Sequence, residues 1–185
     1  MSESSAVSAV DSDPGPGPLR LIQSFASTRG AEPGSDHLRV REEAAAWLHT
    51  TGLLPAETGL TNSEHAALLR LRDAIRDVLA AHTKRRADAE AAARLTKALA
   101  DGRLILTVDH ASAIRLASAA RASYPHVVAA FAVAIAESAG AGTWPRLKTC
   151  TAPRCGRVFY DDSSGADARR CSTHVIRRLT TVRSS

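Results

Sequence analysis

Apolar positions recur every three to four residues over most of the chain, and in one stretch every second residue. After Gly34, Leu38, Ala45 and Leu48 keep near-helical spacing, with Val40, Ala44 and Trp47 widening the buried side. This predicts a helix that Ser35 or Asp36 caps, that runs to about Thr50 and that Gly52 stops. Thr61-Asn-Ser-Glu64 reads as a capping box, in which the threonine and glutamate side chains satisfy each other's free backbone N–H groups. The helix behind it carries Leu68, Leu71, Ile75, Val78, Leu79 and His82 on one stripe. Arg70, Asp73, Arg76 and Asp77 are expected to face outward. A third helix is expected from Asp88 to Ala100, ending at Gly102. The period then drops to two: Leu104, Leu106 and Val108 share one strand face, Asp109 and His110 make a turn, and Ser112 to Ala117 returns, a β-hairpin. Ser123-Tyr-Pro125 opens an apolar helix to about Ser138 with Pro125 in its first turn. That helix is apolar nearly all round, which predicts the central buried helix of the body. The segment Leu19 to Phe25 is apolar but too short to assign.

These elements divide the chain. Residues 1–18 are rich in Ser, Asp, Gly and Pro without apolar period and read as disordered. Residues 19–143 form the helical body with its hairpin, and 144–185 follow as a small basic module behind the Gly140–Gly142 and Pro145 linker. The expected fold class is α+β, mainly α, with a small treble-clef-like finger built of knuckle, hairpin and helix. At 185 residues and 44% hydrophobic, the chain can bury a core, and 4% aromatics leave that core to aliphatic side chains. The longest strongly apolar run, Val127 to Ala136, is half of what a membrane span needs, about 20 residues. No Lys or Arg precedes Arg20, so a signal peptide is not expected, and the expected location is the cytoplasm.

Charge is unevenly placed. Residues 146–185 hold nine Lys and Arg against three Asp, so the +5 net charge of the chain sits entirely in this module. A compact basic module on a neutral body is a common plan for binding a polyanion. Arg outnumbers Lys throughout, so arginine usage by itself carries no weight.

The same module contains all three cysteines, in the order Cys150-x4-Cys155-x15-Cys171-x2-His174. Two close pairs across a spacer are the arrangement of a structural zinc site: a short module with little core can supply two donors from a tight knuckle and two from a later element. Cys171 and His174 stand one helical turn apart and would point the same way. The competing reading is a set of buried or redox-active thiols. The spacer is expected to hold a strand at Arg157–Tyr160, turn residues at Asp161 to Gly165 and a return strand from Ala166 to Arg170. His37, His49, His65, His82, His110 and His126 lack ligand spacing and read as surface or helix-packing residues.

On these residues the chain resembles the CGNR zinc-finger family, whose finger follows a helical body called the ABATE domain. The finger positions are Leu147-Lys-Thr-Cys150, Cys155-Gly-Arg-Val-Phe-Tyr-Asp161-Asp-Ser163 and Arg169-Arg-Cys171-Ser172. The Phe-x-Asp-x-Ser pattern falls on Phe159, Asp161 and Ser163. In the body, Phe25-Ala-Ser-Thr28, Trp47-Leu48 and Gly52-Leu53 are similar to family positions, with Ser27 where the family often has Asn. The name-giving Cys-Gly-Asn-Arg is missing. Its cysteine position falls on Val175 or Ile176, and Arg178 alone matches the final Arg. His174 lies beside the lost position, giving a Cys₃His set for one structural zinc ion.

The resemblance implies a bacterial transcription regulator, often described as stress-related, with DNA contacted by the finger. Arg157, Arg169, Arg170, Arg177, Arg178 and Arg183 are the candidate phosphate contacts. The body would sense a small molecule or a protein effector, and a pocket there would be lined by Phe25, Thr28, Trp47, Leu106 and Tyr124, residues that ordinary core packing also explains. A second copy of the chain is a further candidate partner. The alternative function is a zinc-stabilised protein-interaction module with a redox switch in its thiols. An enzyme is not expected: the chain has no phosphate-binding Gly-rich loop, no Gly-x-Ser-x-Gly and no His-x-Glu near the cysteines.

Overall fold

The computed structural model describes residues 15–30 and 34–175. Five helices, α1 (Leu19–Ser27), α2 (Arg41–Thr50), α3 (Asn62–Lys84), α4 (Ala89–Leu99) and α5 (Tyr124–Gly140), build the body. Between α4 and α5 stands the antiparallel hairpin β1 (Leu104–Val108) and β2 (Ile114–Ser118), with Leu106 opposite Leu116. A 3₁₀ turn at Trp144–Arg146 leads into a second antiparallel pair, β3 (Leu147–Thr149) and β4 (Val158–Tyr160). Residues 172–175 begin a further helix. The fold is thus mainly helical with two small hairpins, as expected. No helix among the described residues is long and apolar enough to cross a membrane.

Local chemistry accounts for the surest boundaries. Thr61 and Glu64 form the full capping box at the head of α3, and Asp88 caps α4 through the Ala91 N–H. Helix α1 closes on Thr28, whose hydroxyl donates to the Phe25 carbonyl at 2.6 Å. Gly102 has a close backbone approach to serve. A Cβ there would sit 2.8 Å from the Ala129 nitrogen, so glycine lets the chain leave α4 against α5.

Three expectations change. Helix α2 starts at Arg41 behind Val40, which makes no side-chain cap, so neither Ser35 nor Asp36 caps it. Asp36 serves a longer-range partner. Its two carboxylate oxygens take Nη1 and Nη2 of buried Arg72 at 2.5 and 2.7 Å, and Arg72 also reaches the Thr28 hydroxyl. Arg76 does not face solvent: it is half-buried, donating to the Ala26 carbonyl on one side and the Gly156 carbonyl on the other. Helix α5 is not buried all round, since Ala136, Glu137, Ala139 and Gly140 are exposed. Helix α3 instead runs between α1, α4 and the second hairpin.

The Arg72–Asp36 fork predicts a large stability effect. Arg72 Nε is buried without a hydrogen bond, the nearest carboxylate being Asp73 at 3.8 Å, so Asp36 carries most of the compensation for this cation. Asp36→Ala should cost about 3 kcal/mol, because a buried charge loses its counterion, and lower the Tm by roughly 10 °C. The Arg72 guanidinium holds the Asp36 carboxyl below its ordinary value. Its contribution is therefore complete above the unfolded carboxyl value of 3.8 and is lost as pH falls through the lower folded value. Wild type and variant should converge in acid. Denaturant titrations at neutral and acidic pH check both the magnitude and the sign.

Candidate metal centre

The second hairpin carries the first pair of cysteines at its tip. β3 ends at Thr149, β4 begins at Val158, and Cys150 to Arg157 turn tightly between them. Arg154 (φ 61°) and Gly156 (φ 55°) both take left-handed backbone in that turn. Here the structure departs from the expected hairpin: the partner of β4 is β3, and 166–170 are not a strand. The reason is that the knuckle is itself the hairpin turn. Residues 166–170 are held instead by Thr151, which donates its N–H and hydroxyl to the Arg169 carbonyl, and by the Lys148 ammonium. Cys171 ends this loop, and the helical turn at 172–175 swings His174 back over the sulfurs.

Cys150, Cys155, Cys171 and His174 converge, with all four donor atoms within 4.8 Å of one another. Cys155 Sγ lies 3.9 Å from Cys171 Sγ. His174 Nδ1 lies 3.2 Å from Cys171 Sγ and 3.8 Å from Cys150 Sγ. A tetrahedral zinc with ordinary bond lengths separates its sulfurs by about 3.8 Å and sulfur from nitrogen by about 3.6 Å, so the donor set fits one structural zinc ion. The sulfurs are buried and the imidazole half-buried. Without a cation the thiols oppose one another. Burial and then the neighbouring sulfurs push the Cys155 thiol up to about 11, while burial resists ionising Cys150 and the Cys171 and Ala152 N–H groups pull it down. A divalent ion resolves that conflict by stabilising the thiolates together.

A second polar cluster braces this centre. Lys148 and Asp161 are both fully buried and meet at 2.6 Å. Lys148 Nζ also donates to the carbonyls of Ala166 and Ala168, while Asp161 accepts from the Ser163 N–H and hydroxyl and the Ala168 N–H. Burial alone would raise the Asp161 carboxyl, but Lys148 and Ser163 hold it below its ordinary value. Asp161 is thus not a turn residue on the surface. The Asp and Ser of the Phe-x-Asp-x-Ser signature wire the loop before Cys171, and the sequence reading missed Lys148 as their partner.

The finger is fastened to α3. Thr83 Oγ1 donates to the Thr149 carbonyl and accepts from its N–H, and His82 Nδ1 meets the Leu147 carbonyl. Trp144 packs edge-on against the His82 ring at 5.1 Å. Burial lowers the His82 imidazole's pKa, favouring the neutral ring in this contact. Leu147 and Val158 share the body's hydrophobic core.

The candidate phosphate contacts separate. Arg169 and Arg170 are exposed and have no ion-pair partner among the described residues, and neither has Arg154. Arg157 is half-buried and donates to the Thr173 hydroxyl, so it ties the end of the knuckle turn to the finger's helix. Arg177, Arg178 and Arg183 lie outside the described residues. The five candidate pocket residues do not form one site. Phe25 stacks between Phe131 and Trp47 in the core, Thr28 is committed to Phe25 and Arg72, and Leu106 stands exposed on the hairpin. Tyr124 is buried with a hydroxyl that has no hydrogen-bond partner among the described residues. None of the five lines the roughly 600 Å³ cleft beside Arg85 and Pro145, or the roughly 370 Å³ groove beside Leu21 and Val133.

A helical body on which a Cys₃His knuckle is docked defines a zinc-finger protein with an N-terminal helical domain. Residues 19–142 match the ABATE family model, described as "Putative stress-induced transcription regulator", and residues 146–175 match the CGNR zinc finger. The first match covers about two thirds of the chain, and the protein belongs to the ABATE family. No curated protein matches it.

Proposed function

We propose that the protein is a bacterial, cytoplasmic transcription regulator that binds DNA through its finger, senses a ligand or partner through its body and catalyses no reaction. The observation that carries this reading is the set of exposed arginines on a metal-organised turn. Arg154 sits in the knuckle, and Arg169 and Arg170 run directly into Cys171. Zinc fixes where these cations stand. Lys84, Arg85 and Arg86 are exposed at the end of α3, next to the Thr83 contact with β3, and Arg85 and Arg86 share a cleft with Lys148 and Ala166 of the finger. They add exposed cations where α3 meets the finger. Arginine pairs with phosphate in a fixed two-pronged geometry, which positions a protein on DNA without reading bases.

Fluorescence anisotropy with a labelled duplex tests this. Neutralising five phosphates gives a slope of log affinity against log salt of about −4.5, and Arg169→Ala with Arg170→Ala should flatten it by about 2. Absence of binding by zinc-loaded protein at low salt would overturn the reading, as would a slope the double variant leaves unchanged.

A further inference from the structure

We infer that the β1–β2 hairpin is a self-association surface whose occupant is a second copy of this chain. Residues opposite one another in an antiparallel pair share a face, and alternate residues along a strand do too. The register Leu104↔Ser118, Leu106↔Leu116, Val108↔Ile114 therefore puts five large aliphatic side chains on one side of a two-stranded ribbon. Four of them are open to water: Leu104 at 36%, Leu106 at 69%, Val108 at 66% and Ile114 at 69% exposure. Leu116 is half-buried and lines a mostly apolar groove of about 370 Å³ with Leu21, Ala130 and Val133, edged by His126 and Glu137, which continues this face onto α1 and α5.

A two-stranded ribbon is marginal in water by itself, and although β2 packs on α5, the outer apolar side chains of this one stay uncovered. The usual protections of an exposed edge are also missing. β1 reads Leu-Ile-Leu-Thr-Val, without charge, proline or glycine. The exposed apolar surface on this ribbon, on the order of 500 Å², lies at the upper end of what a monomer shows. Doubled across a two-fold axis, it reaches the roughly 1,000 Å² that a specific interface requires. The groove beneath adds to that.

Charge selects the occupant. A surface can serve as its own partner only if no like charges meet across the axis. The apolar face of the ribbon satisfies this, because the charge of β2, Arg115, pairs with Thr107 on the opposite face, and the acid Glu137 lines the groove beyond the ribbon. A DNA, acidic-protein or anionic-membrane partner would call for cations on the apolar face, and it carries none.

Analytical ultracentrifugation of the full, zinc-loaded chain tests the inference. A species of twice the 19.5 kDa chain mass is expected, dissociating on dilution. Leu106→Lys and Ile114→Lys should each weaken the dimer by about 100-fold or more, since each places a cation against its own symmetry mate. Both side chains are exposed, so helical content and zinc stoichiometry should hold. Hydrogen exchange gives a second readout on the wild type: amides of residues 104–118 should lose protection as the protein is diluted. A wild type that stays monomeric up to roughly 100 µM overturns the inference, whether residues 1–14, a different protein or only water covers the face. Variants that dimerise as tightly as wild type overturn it, as does exchange at 104–118 that ignores concentration. The outcome is independent of whether the finger binds DNA.

Discussion

Stripping the metal with a strong chelator should unfold the finger, expose all three thiols to a colorimetric thiol reagent and abolish duplex binding, while α1 to α5 persist. The chain's cysteines are all free and all buried around one point, so a loaded site should react slowly and a stripped one completely. Structural zinc contributes on the order of 10–16 kcal/mol to small metal-dependent folds, more than the finger's few apolar side chains can replace. Among the described residues the cysteine cluster includes only Ala152 and Phe159 as buried non-thiol partners. His174→Ala should keep three thiolates and still bind one ion, but weakly, because an open fourth position replaces the imidazole. Thiol titration alongside metal analysis checks this. Equal thiol reactivity with and without chelator would remove the basis for a zinc site, and full-strength zinc binding by His174→Ala would exclude the imidazole as a ligand.

The second large effect concerns residues that never touch the metal. Asp161→Asn leaves the Lys148 ammonium buried without a countercharge, a loss of about 3 kcal/mol or more. Because finger folding and metal binding are one equilibrium, that loss should surface as roughly 100-fold weaker zinc affinity in a chelator competition. Lys148→Met should act in the same direction, since it leaves Asp161 buried and removes two donors from the loop carbonyls of Ala166 and Ala168. Undiminished zinc affinity in both variants would mean that the pair is dispensable. The pH dependence follows from Asp161 lying below its ordinary value: the pair supports the finger above pH 3.8 and fails as pH drops through the lower folded value.

What could be read in the sequence was whatever depends on near neighbours. The Thr61–Glu64 box is written within four residues and formed as expected, and the helix expected from Asp88 begins there, with Asp88 itself as the cap. Cys171 and His174 are one turn apart, so their joint aim could be inferred, and the knuckle pair likewise. What could not be read is who answers a buried charge from far away. Asp36 looks like a helix cap until Arg72, thirty-six positions on, takes both its oxygens. Asp161 looks like a turn residue because turn chemistry and a buried acceptor use the same side chain. The hairpin shows a third limit. Alternation gives strands whether their apolar face meets a core or water, and Leu106, expected to line a pocket, is among the most exposed large aliphatics of the described chain.

Arg76 has a mechanical consequence. One guanidinium grips the last turn of α1 at Ala26 and the backbone of the zinc turn at Gly156, fifty residues upstream and eighty downstream of itself. Those two carbonyls are thereby held at a separation set by a rigid planar group. Any tilt of α1 relative to α3 must either drag the knuckle along or break a bond, so motion at the start of the body is geared to the orientation of the arginines around the metal.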